Sequence, residues 1–329
     1  MQRPAAFLLQ ARHPVSDGFQ TESGEIVMID THIHLSHFTF EQTFPYLSLE
    51  KDGYSIQSGT REEIIGRFQE AGIRACIDPA IEISSNPRLL ALSEQYPSFI
   101  FTAVGVHPTR TFRYKTTGPR GKMVEARLRF QQRRELEAFA DHPQVVAIGE
   151  TGLDYHLPRK EQHRFRQKRW FVWQIQLAHR RHLPLVLHIR DAHRDAIRIL
   201  TRYRKCLHGG VAHCFNAGPA EAAQYVHLGL MLGIGGSLLM QFPGIAALQE
   251  AVRQTPLDHL LLETDGPYVR PYIPTLGKKQ IRKARNTSLI LPAVVQRIAE
   301  LKNISPAEVE RVTTENAIRL FGLPADLRN

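Results

Sequence analysis

Apolar residues recur along this chain in two alternating rhythms. Short runs of β-branched and aliphatic residues, apolar on both faces, predict buried strands at Ile26–Asp30, Arg74–Asp78, Ile100–Gly105, Val145–Gly149, Leu185–Leu187, Gly210–Ala212, Leu230–Gly235 and Leu260–Glu263. Between them, apolar residues three and four apart predict helices at Arg61–Ala71, Pro87–Gln95, Arg134–Ala140, Glu161–His182, Arg194–Arg204, Pro219–Leu228, Ile245–Arg253 and in two C-terminal segments. Ser305-Pro306-Ala307-Glu308 offers an N-cap, a first-turn proline and a box-forming Glu, and Gly322 stops the last helix. Eight alternations imply parallel strands joined by crossover helices, and eight such units close a barrel of about 250 residues or more. The expected fold class is α/β, a single (β/α)8 TIM barrel over residues 28–323. No repeat or composition break divides it. Residues 1–27 read as a disordered or extra leader, with a cleaved targeting peptide as the alternative, and 324–329 as a short tail.

Two connections exceed the usual length of about 2–6 residues for a βα loop. Leu35–Thr60 follows the first strand and carries Phe38, Phe40, Phe44, Tyr46 and Tyr54. Arg110–Arg134 follows the third and sets nine Lys or Arg against Glu125 alone, with Phe112, Tyr114 and Phe130 interleaved. Both leave the face where barrel active sites lie. Such rims can stack bases and grip phosphates of a single strand, or can be a packed cap with a solvated charged edge.

Composition narrows the class. The 329 residues carry a net charge of +10, which favours an anionic partner such as nucleic acid. No apolar run approaches the roughly 20 residues of a membrane helix. Cys76, Cys206 and Cys214 are odd in number and widely spaced, which points to a reducing compartment, the cytoplasm by default.

The chemistry is carried by strand ends. His32 and His34, Glu150, His188, His213 and Asp265 each follow a predicted strand. Singly, each fits a packing or turn residue; jointly, four imidazoles and two carboxylates at one barrel mouth suit two divalent ions, Mg²⁺, Mn²⁺ or Zn²⁺, about 3.5–4 Å apart. Glu150 is the natural bridge. His188 and His213 would complete one ion, and His32, His34 and Asp265 the other. Asp265 is placed to accept the proton of an attacking water. His107, in Gly105-Val106-His107-Pro108, could bond a phosphate or anchor its loop. Arg190 suits bidentate phosphate recognition, against a salt bridge with Asp191 or Asp195. Arg113, Arg120 and Lys122 are the loop cations expected on phosphates.

His32-Ile33-His34-Leu35, Gly105-Val106-His107-Pro108, Gly149-Glu150-Thr151-Gly152-Leu153-Asp154, His188-Ile189-Arg190-Asp191-Ala192, His213-Cys214-Phe215 and Glu263-Thr264-Asp265-Gly266-Pro267-Tyr268 together resemble the TatD family of metal-dependent deoxyribonucleases. The similarity runs from about Met28 to Gly322, and Arg285-Asn286, Asn316-Ala317 and Leu320-Phe321 extend it. It implies a TIM barrel, divalent metals and DNase activity, often exonucleolytic on single strands. By the same resemblance His32, His34, Glu150, His188, His213 and Asp265 match the metal ligands, and His107 a histidine near the substrate. Three features depart from the family pattern: an extra residue before Gly218, the Arg285–Ser288 stretch, and the two long loops.

The expected function is a phosphodiesterase cutting DNA, single-stranded or at frayed ends, with metal-activated water. The alternatives are a metallohydrolase of a small ester, amide or aminoacyl-tRNA, and a nuclease subunit that docks a protein partner through the added loops. An amidohydrolase of the first kind often bridges its metals with a carboxylated lysine on strand four, where this chain has Glu150.

Overall fold

The computed structural model describes residues 27–50, 53–111, 118–156, 161–273, 276 and 278–328. All of the expected 1–27 leader except Val27, and the cation Arg113, lie outside them. The chain runs β1 (Met28–Asp30), β2 (Phe44–Glu50), β3 (Gly53–Gly59), α1 (Arg61–Glu70), β4 (Ile73–Pro79), α2 (Asn86–Gln95), β5 (Ile100–Val104), α3 (Gly118–Phe139) and β6 (Val145–Asp154). It continues through α4 (Glu161–Arg181), β7 (Leu185–Arg190), α5 (His193–Arg202), β8 (Gly210–Ala212), α6 (Pro219–His227), β9 (Met231–Ile234), α7 (Ile245–Gln254) and β10 (Leu260–Leu262). The helices α8 (Lys278–Lys283), α9 (Leu291–Lys302) and α10 (Pro306–Phe321) complete it.

Strands β1 and β4 to β10 form one parallel sheet in chain order. Between its first and last members, Thr31 N donates to Leu262 O at 2.9 Å, and Ile33 bridges Gly266 in parallel. The expected eight-stranded TIM barrel is therefore present. Alternation along each strand divides the core, because successive side chains leave opposite faces. In β4, Ala75 and Ile77 pack inside the barrel with Ile29, Phe101, Ala103, Val186, Val211 and Leu261, whereas Cys76 belongs to the outer cluster, as does Ile73, which precedes a register shift in the β1–β4 pairing. Ala317, Ile318 and Phe321 of α10 join the inner cluster. Asn316 Nδ2 donates to Leu257 O and Leu260 O, so α10 seals the end where strands begin. The carboxyl ends of the strands lie at the opposite end. At the termini of α10, Ser305 Oγ accepts from Glu308 N and Gly322 takes φ 62°, a left-handed cap as expected.

Three elements differ from the sequence expectation, each because a tertiary contact replaced a local signal. Leu35–Thr60 is not an open loop: β2 and β3 pair antiparallel, and β2 docks through Leu47 N to Arg285 O and Arg285 N to Pro45 O. Phe40, Phe44, Tyr46 and Leu47 are buried, so the hairpin belongs to the core and Phe38 alone of the loop's five aromatics is well exposed. Removing residues 35–60 to test a docking role would therefore remove core. The basic stretch after β5 is largely helix, since α3 starts at Gly118 rather than near Arg134; Arg120 and Lys122 lie in its first turns. Finally, β6 continues past Gly149 to Asp154, so Glu150 lies within a strand rather than beyond one.

That long strand is irregular, with a register shift between Ile148 and Thr151, and α4 braces it with two glutamines. Gln174 Oε1 accepts from Val106 N (2.8 Å), while its Nε2 donates to Thr151 Oγ1 (2.7 Å) and Val106 O (3.2 Å). About two turns earlier on the same helix face, Gln167 accepts from Asp154 N and donates to Asp154 O, both at 2.9 Å. Both glutamines are buried. Because a buried amide left unpaired costs about 1–3 kcal/mol per group, Gln174→Leu should lower unfolding free energy by about 2 kcal/mol or more. Denaturant titration checks this, and a loss below about 0.5 kcal/mol would show that β6 does not need the clamp.

Candidate metal centre

The loop after β1 is pinned before it reaches the first two histidines. Asp30, fully buried, accepts from His32 N (3.2 Å), Thr264 N (3.1 Å), Thr264 Oγ1 (2.6 Å) and Ser288 Oγ (2.7 Å). Asp265 N in turn donates to His32 O at 2.8 Å. These bonds tie the β1 and β10 ends into one unit, and Asn286 Nδ2 adds bonds to Thr264 O and Val269 O. Asp265 itself takes φ 54°, a left-handed position uncommon for a side-chain-bearing residue and held by these neighbours.

All six predicted donors converge. His213 Nε2 lies 2.8 Å from Glu150 Oε1, and His32 Nε2 stands 3.5 Å from that oxygen and 3.6 Å from Asp265 Oδ1. His34 Nε2 is 3.3 Å from Asp265 Oδ1 and 3.8 Å from Glu150 Oε2. His188 Nδ1 is 3.7 Å from Glu150 Oε1 and 3.1 Å from His213 Nε2. Three sets bring their donor atoms close enough for one ion each: His32–His34–Asp265, His32–Glu150–His213 and His107–Glu150–His188. Glu150 is thus central, as its place in the chain suggested. His32, however, stands with His213 as well as with His34; their rings stack at 3.9 Å and 6°.

The residues fit divalent ions by their chemistry and by what they lack. Both ring nitrogens of fully buried His32 and Nδ1 of His213 have no hydrogen-bond partner among the described residues. Unpaired buried polar atoms are expensive, and a bound cation would satisfy them. Other rings are oriented from behind, as metal-binding histidines commonly are: His34 Nδ1 donates to Pro79 O (3.2 Å), and His188 Nε2 meets Asp154 Oδ2 (3.2 Å). Glu263 Oε1 accepts from Cys214 N at 2.6 Å and so fixes the chain beside His213. A Cβ at Gly233 would collide with that carboxylate, which explains the glycine on the neighbouring strand.

Electrostatics here is a contest between burial and close opposite charge. Burial disfavours charge on His34, yet its hydrogen bond to Asp265 and the charge of Glu150 push it up to about 9. For His188 burial is likewise outweighed by Asp154 and Glu150, again to about 9. Burial carries His32 well below the ordinary imidazole range, with His213 adding repulsion. Burial would raise Glu150, but His213, His107 and His32 hold it well below the usual carboxylate range. Burial dominates at Asp78 and pushes it up to about 7 although Ser36 N and Oγ donate to it.

The remaining predicted residues lie at the periphery. His107, half-buried, stacks edge-on against His188 at 4.2 Å. Its Nδ1 accepts from Thr109 N (3.2 Å) and pairs with Thr109 Oγ1 (2.7 Å), so it does anchor its loop. Arg190 ends β7 and is exposed. Its salt-bridge alternative does not form, because Asp191 pairs with His156, and Asp195 with Lys168 and Arg198. The side chains of Arg120 and Lys122 lie outside the described ones. Sequence reasoning missed Asp30, Asp78, Asp154, Glu263, Gln167 and Gln174. Asp154 and Glu263 stood within quoted motifs, and the aspartate two residues before His32 was the available sign for Asp30.

The family model for TatD related DNase matches residues 29–322. The chain belongs to the TatD-related DNase family. A family member in Mycobacterium tuberculosis (strain ATCC 25618 / H37Rv), an "Uncharacterized metal-dependent hydrolase TatD", is 32% identical over 301 residues, 90% of this chain and 98% of its own. A "3'-5' ssDNA/RNA exonuclease TatD" of Erwinia billingiae (strain Eb661) is 31% identical over 265 residues, 80% of this chain and 94% of its own. Among solved structures, the TatD homologue YJJV of Escherichia coli K12 superposes with a TM-score of 0.72 at 26% identity, covering 92% of this chain and all of its own. This TatD chain is accordingly a metal-dependent hydrolase. Among its described residues no helix is long and apolar enough to cross a membrane.

Protons would compete with a metal for His34 and His188. Their pKa values stand above those of an unfolded imidazole, so in metal-free protein they add stability in full below about pH 6.5 and lose it as pH rises through about 9. With both rings as ligands, metal uptake would expel these protons. Affinity should therefore rise with pH up to about 9, with protons released on binding. Calorimetric titration in two buffers of different ionisation enthalpy reads the release directly; uptake independent of pH over that window would refute the assignment of both rings as ligands.

Proposed function

We propose that the chain is a divalent-metal-dependent phosphodiesterase that cleaves single-stranded DNA or frayed ends, with His32, His34, Glu150, His188, His213 and Asp265 as the ligands of two ions. The observation that carries the reading is the buried set of imidazole and carboxylate donors at the carboxyl ends of the barrel strands, three of its ring nitrogens unpaired. The nuclease name of the Erwinia relative supports a nucleic-acid substrate, and the net charge of +10 agrees with a polyanion. Ions bound here would supply Lewis-acid charge at a phosphoryl oxygen and a water acidified toward neutral pH.

The protein's own groups divide the remaining work. Glu150, central to the cluster, would be shared between ions. Asp265, with side-chain exposure of 15%, reaches both ligand rings and the mouth, and would accept the proton of the attacking water. In His107, burial and the neighbouring His188 push the ring down to about 3, so it is neutral; Nδ1 accepts from Thr109 N, which leaves the proton on Nε2. That N–H is suited to donate to a phosphate oxygen, favouring substrate contact over ligation. Arg190, exposed and without an ion pair among the described residues, suits a flanking phosphate. The start of α3 would carry Arg120 and Lys122, with Arg113 just ahead, along the strand's backbone. Farther along, Arg133 lies over Trp170 and Trp173.

Metal-stripped protein given back Mg²⁺, Mn²⁺ or Zn²⁺ should degrade end-labelled single-stranded DNA to a ladder. Asp265→Asn should slow this by about 10²–10⁴-fold, the range of a lost general base, and Glu150→Ala should lose metal as well as cleavage. Folded, metal-loaded protein that leaves DNA intact would redirect the search to small esters, amides or aminoacyl-tRNA. For the basic segment, replacing Arg113, Arg120 and Lys122 together by Ala should flatten the log–log salt dependence of single-strand binding by about 2, or about 0.7 per phosphate contact. An unchanged slope would make that segment a solvated edge.

A further inference from the structure

Of the large hydrophobic side chains left exposed among the described residues, three sit on segments leaving the two strand ends that meet at the barrel closure. Phe38, after β1, is 66% exposed; Tyr268 and Tyr272, after β10, are 44% and 49% exposed. Two of them are joined by a histidine. The His37 ring lies 4.1 Å from Phe38, tilted by 37°, and 5.7 Å from Tyr268 at 73°. Tyr268 also meets the edge of His34 at 5.7 Å. A continuous shelf of rings thus runs from a metal-site histidine outward to Phe38.

The shelf is held in place. His37 Nδ1 accepts from Thr39 N (3.2 Å) and His37 N donates to His34 O (3.0 Å). Tyr268 N donates to Asp265 O at 2.8 Å. Phe40, two residues beyond Phe38, is buried against Phe44 at 4.7 Å. The same short turn therefore buries one phenyl ring and turns another outward. The outward phenyl face of Phe38 is free to stack on a flat partner that arrives from solution.

We infer that Phe38, His37 and Tyr268 form a stacking subsite for a nucleobase of single-stranded nucleic acid, seating the nucleotide whose phosphate enters the metal cluster. This deepens the nuclease reading and rests on it for the identity of the ligand. Stacking is indifferent to base identity, because every base has a π face. Phe38 acts here as a positioning residue: it sets the affinity for the strand end while the bond-breaking groups stay unchanged.

The test combines an activity readout with a binding readout. Oligonucleotides with a normal or an abasic terminal nucleotide, one version for each end, are given to the metal-loaded full chain, to Phe38→Ala and to Phe38→Trp. In parallel, oligonucleotides with terminal 2-aminopurine are titrated into the Asp265→Asn protein with and without Phe38→Ala, stacking being read as quenched fluorescence. The wild-type chain should show KM raised about tenfold by the missing base, with kcat retained. Phe38→Ala should erase that difference and the quenching, and Phe38→Trp should restore the KM difference. Cleavage with base discrimination and quenching untouched by Phe38→Ala would overturn the shelf and leave the nuclease standing. Phe38-dependent quenching without cleavage would keep the shelf and sink the nuclease reading. Absence of both cleavage and quenching would overturn the two together.

Discussion

Gathering four imidazoles around buried Glu150 and largely buried Asp265 is the constraint on which the rest of this structure depends. Each ring and carboxylate gives up water, and the only returns available are opposite charge at close range and hydrogen bonds from behind. The consequences are visible in opposite shifts of neighbouring groups: His32 is held neutral by burial, whereas His34 and His188 are driven up to about 9 by Asp265, Asp154 and Glu150. In a site so arranged each imidazole's basicity is set by its neighbours, and for His188 one of these, Asp154, lies outside the proposed ligand set.

Those supporting residues explain much of the fold's local irregularity. Asp30 gathers four donors and joins the first strand end to the last, which sets His32 and Asp265 face to face across the barrel closure. Beside the register shift on β6, the glutamines of α4 hold the irregular strand: Gln174 joins the Thr151 hydroxyl to the Val106 backbone, and Gln167 takes both backbone groups of Asp154. The positive φ of Asp265 and Cys214, each adjoining or belonging to the cluster, is a further cost absorbed by the surrounding hydrogen bonds. A rigid frame of this kind is what the precise placement of metal-site donors requires.

The contribution of the added segments is more uneven than their composition suggests. The hairpin β2–β3 is mostly structural, because its aromatic residues complete the packing beside Arg285 and the segment before α9. Within Leu35–Thr60, Phe38 in the turn just after the first strand is the one well-exposed aromatic residue. The basic segment, in contrast, is built on a helix of 22 residues, about 33 Å at 1.5 Å per residue, much longer than the five-residue strand it follows.

The sequence by itself determined the strand order, the parallel sheet and the convergence of His32, His34, Glu150, His188, His213 and Asp265, because apolar periodicity encodes burial and a barrel of parallel strands collects their ends at one mouth. It was silent on the groups that hold those six. Asp30 meets Ser288, and Gln174 meets Val106, across separations no local pattern records. It misread the extent of β6, since Gly149 and Gly152 look like a turn until helix side chains satisfy the strand's backbone, and it read as loops both the β2–β3 hairpin and the beginning of α3. Only the tertiary structure decided which aromatic residues face inward, that His107 both anchors its loop and adjoins the cluster, and that Arg190 stays free of the two nearby aspartates. In each case the deciding quantity is a distance between segments far apart in the chain, which residue type and spacing do not contain.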